Sequence, residues 1–437
     1  MLPQKKAWVI SVDMGYGHQR AAYPLKDIAF ERIITANSDK IVTEKEKRQW
    51  NLFQFYYEGL SKLRSLPVFG EILWKIYDSF QSISPYYPFR RLSKPNLGSI
   101  FMHSLINKNF LKSIVDYTGK EDIPFVSTFF APAIAAAHAK RKDVYCVVTD
   151  TDINRIWAPE KPGEDRLCYF APTEHSTKRL AEYGIPKEDI FFTGFPLPKE
   201  NTGPGMEILK HDLGERMPNL DPKKIYTSRY RETIKKVLGD DYRTKSSHPL
   251  TLTFAVGGAG AQKEIAGKFL RSLRKRIKSH ELRVNLVAGT RLEINQYFIE
   301  AVHAAGLGHE IGKYINILCE LDKKSHFEKF NQLLHETDIL WTKPSELSFY
   351  TALGLPIVIA PTLGAHEMMN QKWLETMGTG FPQENPEYAD EWLFEWLDKG
   401  ILAEAAWEGF NEAPKYGTYN IEKIIFEKDK KSVKLRY

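Results

Sequence analysis

Twice in this chain a run of strand-forming residues breaks at a glycine turn and restarts at helical spacing. The first case is Ala7-Trp-Val-Ile-Ser-Val-Asp13, followed by Met14-Gly15-Tyr16-Gly17-His18 and then Gln19 to Leu25. The second is Leu250-Thr-Leu-Thr-Phe-Ala-Val256, followed by Gly257-Gly258-Ala259-Gly260-Ala261 and a basic helix from Lys263 to Ser279. An apolar, partly β-branched run predicts a buried strand. Glycines at a strand-to-helix turn allow φ > 0 and let backbone N–H groups approach a ligand. The helix start adds partial positive charge that suits an anion. Gly15-x-Gly17-x-x-Arg20 lacks the third glycine of the dinucleotide fingerprint. One such turn per half predicts an α/β chain of two Rossmann-like domains facing each other across a cleft.

The bulk properties agree with that frame. A chain of 437 residues exceeds one ordinary core. With 43% hydrophobic and 27% charged residues it belongs with globular proteins. No run of 18 or more apolar residues predicts a membrane span, and Lys5 and Lys6 before a short apolar run do not make a signal peptide. Cys146, Cys168 and Cys319 are odd in number and scattered, which argues for free thiols in a reducing, cytoplasmic compartment. The net charge of +6 accommodates an anionic ligand or membrane surface without requiring nucleic acid.

In chain order, residues 1–198 form the first domain. Within it, 44–115 is rich in large apolar and basic residues, among them Trp50, Phe53, Leu60, Trp74 and Phe80 with Lys62, Arg64, Lys75, Arg90 and Arg91. Apolar burial and attraction to anionic lipid add together, so this segment is expected at a membrane interface; the alternative is that its helices pack on the first domain. Strands are expected at 124–127, 144–148, 167–170 and 190–193. Asp150-x-Asp152 after the second of these invites a metal reading, but nothing nearby supplies further ligands. Residues 199–248 lack strong periodicity and read as an insertion or interdomain linker with one helix at 230–238. Residues 249–398 restore the alternation, and 399–437 form a helical tail that turns basic from Lys428. Glu367 and Asn370, three apart at a helix start, share one face and suit the vicinal hydroxyls of a sugar.

His18 carries the first turn's chemistry. It sits one residue past the second glycine, where its imidazole would lie over the carboxyl edge of a sheet. With a reference pKa of about 6.5 it is mostly neutral at pH 7 and able to accept a proton.

Asp13-Met-Gly15-Tyr-Gly17-His18-Gln-Arg-Ala21-Ala22 resembles the Gly-x-Gly-His-x-x-Ala-Ala turn of the monogalactosyldiacylglycerol synthases and processive diacylglycerol glucosyltransferases. These are relatives of the peptidoglycan N-acetylglucosaminyltransferase. Val147-Val-Thr-Asp150 through Trp157, Pro172-Thr-Glu174 through Arg179-Leu180, and Thr193-Gly194-Phe195-Pro196 follow the same family pattern. So do Gly257 to Ala261, Thr342-Lys343-Pro344, Leu353-Gly354-Leu355-Pro356 and His366-Glu367-x-x-Asn370. The resemblance implies a GT-B fold and inverting, metal-independent transfer. The donor would be a nucleotide-diphosphate sugar, usually UDP-linked, held in the C-terminal domain. The acceptor would be a lipid or other membrane-proximal hydroxyl at the N-terminal domain, with the protein peripheral on the inner membrane face.

By the same resemblance His18 is the general base, with Asp150 its orienter or an alternative base. Gly15, Gly17, Asn154 and Trp157 lie on the acceptor side. Gly257, Gly258, Ala259, Gly260, Ala261, Lys343, Glu346, His366, Glu367 and Asn370 hold the donor, and neither a metal nor a cofactor is called for. Two departures stand out. Asn154 replaces the family's histidine, and the segment from Thr342 is two residues short, so that the ribose-binding glutamate falls at Phe349 and Glu346 is the nearest substitute. A nucleotide-sugar epimerase and a non-catalytic nucleotide-sugar-binding protein remain open alternatives.

Overall fold

A computed structural model describes residues 5–54, 83–89, 91–257, 260, 262–362, 364–427 and 435–436. Internal contacts divide the chain into two units. The first comprises Met1–Pro196, Gly364–Met369 and Tyr416–Tyr437; the second comprises Leu197–Leu363 and Asn370–Lys415.

The first unit is built on strands β1 (Ala7–Ser11), β2 (Ala29–Thr35), β3 (Phe125–Ser127), β4 (Val144–Val147), β5 (Leu167–Ala171) and β6 (Ile190–Phe192). They form one parallel sheet in the order β2-β1-β3-β4-β5-β6. Every residue of β1 is buried, because a parallel sheet is covered on both faces. Successive side chains alternate accordingly. Trp8 and Ile10 enter a core with Trp50, Phe110, Phe129 and Phe130. Ala7 and Val9 enter a second core with Val126, Tyr145, Val147 and Phe170.

That second core is completed from the far end of the chain. Ile421, Ile424 and Ile425 of the helix Gly417–Phe426 belong to it. The 399–437 tail is therefore two things: the helix Ile401–Glu412 in the second unit, and a terminal helix that covers a face of the first.

The segment expected at a membrane interface divides in a similar way. Trp50 and Phe53, on the helix Glu44–Gln54, are 1% and 0% exposed and pack against Phe110. They are core residues, as the packing alternative had it. Residues 55–82, which carry most of the aromatic pattern including Leu60, Trp74 and Phe80, lie outside the described residues. Beyond them Tyr87 and Phe89 are 70% and 69% exposed, and Leu97 and Ile100 are exposed on the helix Leu97–Asn107.

The second unit carries β7 (Leu250–Ala255), β8 (Leu282–Gly289), β9 (Ile315–Cys319), β10 (Ile339–Thr342), β11 (Ile357–Ile359) and β12 (Gly380–Pro382). All pair in parallel, in the order β12-β11-β10-β7-β8-β9. Read from β9, this is the 3-2-1-4-5-6 order of a Rossmann sheet. Residues 199–248 hold the helices Lys199–Thr202, Glu207–Leu220, Ile225–Arg229 and Arg231–Leu238. They belong to the second unit. Arg216, buried on the long helix of this group, donates to the carbonyls of Thr337, Leu353 and Gly354 and so ties it to the sheet. No helix among the described residues is long and apolar enough to cross a membrane.

Candidate functional site

In each unit some of the sequence-predicted residues follow the strands at which the order reverses: His18 in the first, Gly257 and Lys343 in the second. In open α/β sheets that reversal opens a crevice outside the carboxyl ends of the strands. In the first unit it falls between β1 and β3. Asp13, just past β1, exchanges two hydrogen bonds with the Asn37 side chain, at 2.8 Å and 3.0 Å, which fixes where the turn begins. Gly15 then takes φ +79°, a conformation that a side chain would strain. Gly17 opens the helix Gly17–Ala22, and His18 follows it, half-buried.

His18 is held by the loops after β3 and β4. Its Nδ1 lies 2.8 Å from the backbone oxygen of Thr128 and 3.3 Å from Thr149 Oγ1. The Thr128 hydroxyl donates to the His18 carbonyl at 2.7 Å, closing a two-way clasp. A carbonyl only accepts, so Nδ1 carries the hydrogen, and in the neutral ring the lone pair is on Nε2. Phe129 meets the imidazole edge to face at 4.8 Å, and Trp157 lies 6.2 Å away. Asp150 reaches this group through Thr149, whose Oγ1 is 3.5 Å from Asp150 Oδ2.

The loop that follows is rigid for identifiable reasons. Asn154 is buried, and its side-chain oxygen accepts from the Ile156 N–H, capping the short helix Arg155–Trp157. The Trp157 carbonyl accepts from the Tyr169 hydroxyl at 2.7 Å. Asp152 is fully buried and receives Arg179 on both oxygens at 2.8 Å, with His175 Nε2 at 2.8 Å from Oδ2. Burial works to raise the Asp152 pKa, yet the hydrogen bonds from His175 and Arg179 outweigh it and hold the carboxyl below its ordinary value. Both Asp152 oxygens are thus engaged inside the protein.

In the second unit the order reverses between β7 and β10. Gly257 follows β7, and the Gly260 N–H donates to its carbonyl at 2.7 Å. Gly260 has φ +69°. Gly258, Ala259 and Ala261 lie outside the described residues. Lys343 follows β10 and passes directly over Gly257, so that a Cβ at Gly257 would stand 2.4 Å from Lys343 Cε. The glycine is what allows this lysine to lie across the turn. The Thr342 hydroxyl fastens β10 to the Ala255 carbonyl at 3.0 Å.

Beyond Lys343 the chain forms a 3₁₀ helix, Glu346–Leu353, whose residues are all buried. Glu346 is 7% exposed, and Phe349 packs against Trp373 at 5.3 Å. His366, Glu367 and Asn370 occupy the helix Ala365–Thr376. His366 is exposed, while Glu367 and Asn370 are 3% and 0% exposed. Asn370 Nδ2 donates to the Pro344 carbonyl at 3.3 Å, which ties this helix to the Lys343 loop. Glu367 falls in the Gly364–Met369 piece grouped with the first unit, and Asn370 in the second.

Sequence reasoning missed Thr128, Phe129, Thr149 and the Asp152–His175–Arg179 cluster. Thr128 acts on the His18 ring through its backbone carbonyl, which leaves no residue-type signature. Thr149 and Phe129 each stand two residues past a strand, β4 and β3, and that position was the available signal.

Residues 296–420 match a family model described as a domain of unknown function (DUF6938). Among curated proteins, the processive diacylglycerol beta-glucosyltransferases of Bacillus cytotoxicus and Bacillus mycoides are each 23% identical to this chain. Each alignment covers 86% of this chain and 82% of the relative. The chain is thus a distant homologue of these glucosyltransferases. Among solved structures, Anabaena HepE in complex with UDP and glucose aligns over 96% of this chain and 99% of its own, at 12% identity and a TM-score of 0.43. The UDP-GlcNAc 2-epimerase from Neisseria meningitidis bound to UDP-GlcNAc aligns over 86% and 97%, at 14% identity and a TM-score of 0.41.

Proposed function

We propose that the protein is a glycosyltransferase that moves a sugar, with inversion and without a metal, from a UDP-linked donor to a hydroxyl of a lipid or other membrane-proximal acceptor. The observation that carries this reading is the His18 clasp. The ring stands at the β1/β3 reversal with Nδ1 bound to the Thr128 carbonyl. That bond selects the tautomer in which Nε2 is the basic atom, and it fixes the ring's direction.

In the reaction the acceptor oxygen attacks the anomeric carbon as its proton passes to His18 Nε2. The bond from that carbon to the diphosphate breaks, and its electron pair leaves on the phosphate oxygen. The departing charge needs fixed donors. Lys343 and the backbone of the Gly257 to Ala261 turn supply them. Glu346 takes the ribose hydroxyls in place of the residue at Phe349, and His366, Glu367 and Asn370 take those of the sugar. Asp150 acts on His18 through Thr149, while Gly15, Gly17, Asn154 and Trp157 line the acceptor side.

The lipid acceptor is the reading of the distant glucosyltransferase homologues, transferred to this chain as a proposal. Exposed Tyr87 and Phe89, 4.8 Å apart, with Leu97 support it as an apolar surface for the interface. The test is to incubate the purified protein with a panel of nucleotide sugars, with and without diacylglycerol-containing vesicles. Glycolipid formed from a UDP-sugar is the expected product. Donor isomerised without acceptor would establish an epimerase instead, and no turnover with any donor would leave a binding protein.

A further inference from the structure

Apart from both reversal points, the second unit contains a cavity of about 300 Å³ lined by residues of the 199–248 segment. Its polar lining is strongly one-signed. Lys224, Arg231, Arg243 and Lys245 face one carboxylate, Asp221. Met217, Ile234, Leu238 and Tyr242 supply an apolar part, and Ser228, Thr244 and Ser246 add hydroxyls.

Two buried acids build the walls and are consumed in doing so. Asp221, 1% exposed, accepts the Ile225 N–H at 2.8 Å on one oxygen. Its other oxygen takes the Thr227 N–H at 2.7 Å and the Thr227 hydroxyl at 2.8 Å. This holds Lys224 at φ +56°, a left-handed conformation that costs a lysine free energy. Glu215 accepts the Ser247 N–H at 2.6 Å and pairs with Arg243 Nε at 3.4 Å, fixing the opposite wall. Among the described residues, Lys224, Arg231 and Lys245 have no acid partner. With Arg243 paired to Glu215 and Asp241, the cations Lys224, Arg231 and Lys245 still outnumber Asp221 in the lining, and a bound anion offsets that excess.

We propose that this cavity binds a small phosphate-bearing molecule. Cations and hydroxyls together match the several oxygens of a phosphate or diphosphate. The apolar lining takes the body of the ligand, and the volume suits a small metabolite rather than a chain segment. This site is separate from the donor site and does not depend on it.

The test is calorimetric titration of the full chain with inorganic phosphate and with pyrophosphate at low salt, comparing wild type, K224Q/R231Q/K245Q and Lys343→Gln. The expected result is a saturable binding component that weakens at least about tenfold in the triple variant and persists in Lys343→Gln, which removes only what binds at the donor turn. All three cavity side chains lie at the surface, so the fold should persist, as far-UV circular dichroism would show. Arg231→Gln alone gives the reading should the triple variant not fold. The proposal is overturned if neither anion binds below about 10 mM, or if the cavity variants bind as wild type does. It is equally overturned if Lys343→Gln removes the binding, which would put the anion at the donor turn.

Discussion

The Thr128 carbonyl does for His18 what a carboxylate orienter does elsewhere, without adding a charge. Asp150 stands one hydroxyl further away, so Asp150→Asn should lower kcat less than loss of His18 does. An equal loss in the two variants would make Asp150 the base. A second residue-scale expectation concerns Asp338. Full burial lifts its pKa to about 7 from an ordinary 3.8, even though His248 and Arg216, the Thr251 N–H and Asn219 act the other way. Between those values the folded chain keeps a proton that the unfolded chain has lost. Stability should therefore fall as pH rises from about 4 to 7, by at most about 1.4 kcal/mol per pH unit. Asp338→Asn should flatten that slope in urea unfolding at pH 5 and 7, and an unchanged slope would refute the assignment. At this scale the sequence shows which residue types carry chemistry, such as His18 and Lys343. It hides partners that act through backbone atoms, as Thr128 does, or from distant positions, as Arg179 does on Asp152.

Among elements, legibility follows burial. The strand β1 was readable because all five of its residues are apolar or small and buried. Its neighbour β2 was not, because Glu31 and Arg32 interrupt the apolar run. Glu31 also adopts φ +57°, and the β1–β2 register shifts between Ala7 and Val9. The strand β12 is three residues ending in proline, too short to leave a pattern. Two glycines give contrasting expectations. At Gly417 an added Cβ would meet the Phe195 carbonyl oxygen at 2.0 Å, and backbone cannot step aside. Gly417→Ala should lift the terminal helix from the first sheet and cost about 1–3 kcal/mol in thermal or urea unfolding. At Gly257 the obstacle is the flexible Lys343 side chain. Gly257→Ala should change stability by less than about 1 kcal/mol yet weaken donor binding, because Lys343 must leave the turn. Unaltered donor affinity would remove Lys343 from the donor site.

At the level of the whole molecule, two parallel sheets were legible because each opens with a strand and a glycine turn. The return of the chain to the first unit was not. A helix of Ile421, Ile424 and Ile425 reads as amphipathic, but nothing in its sequence says which sheet it covers. The membrane question also belongs here. If Tyr87 and Phe89 meet lipid, Y87S/F89S should lose vesicle binding while keeping donor affinity. Binding equal to wild type would move the interface elsewhere. The central claim is that this chain is an enzyme whose base is His18, and the kinetics of His18→Ala test it most directly. Turnover should fall by roughly 10²–10⁴-fold with donor Kd unchanged, the pattern of an interaction made in the transition state. Near-normal turnover of His18→Ala with the acceptor would contradict the account and make His18 a structural residue.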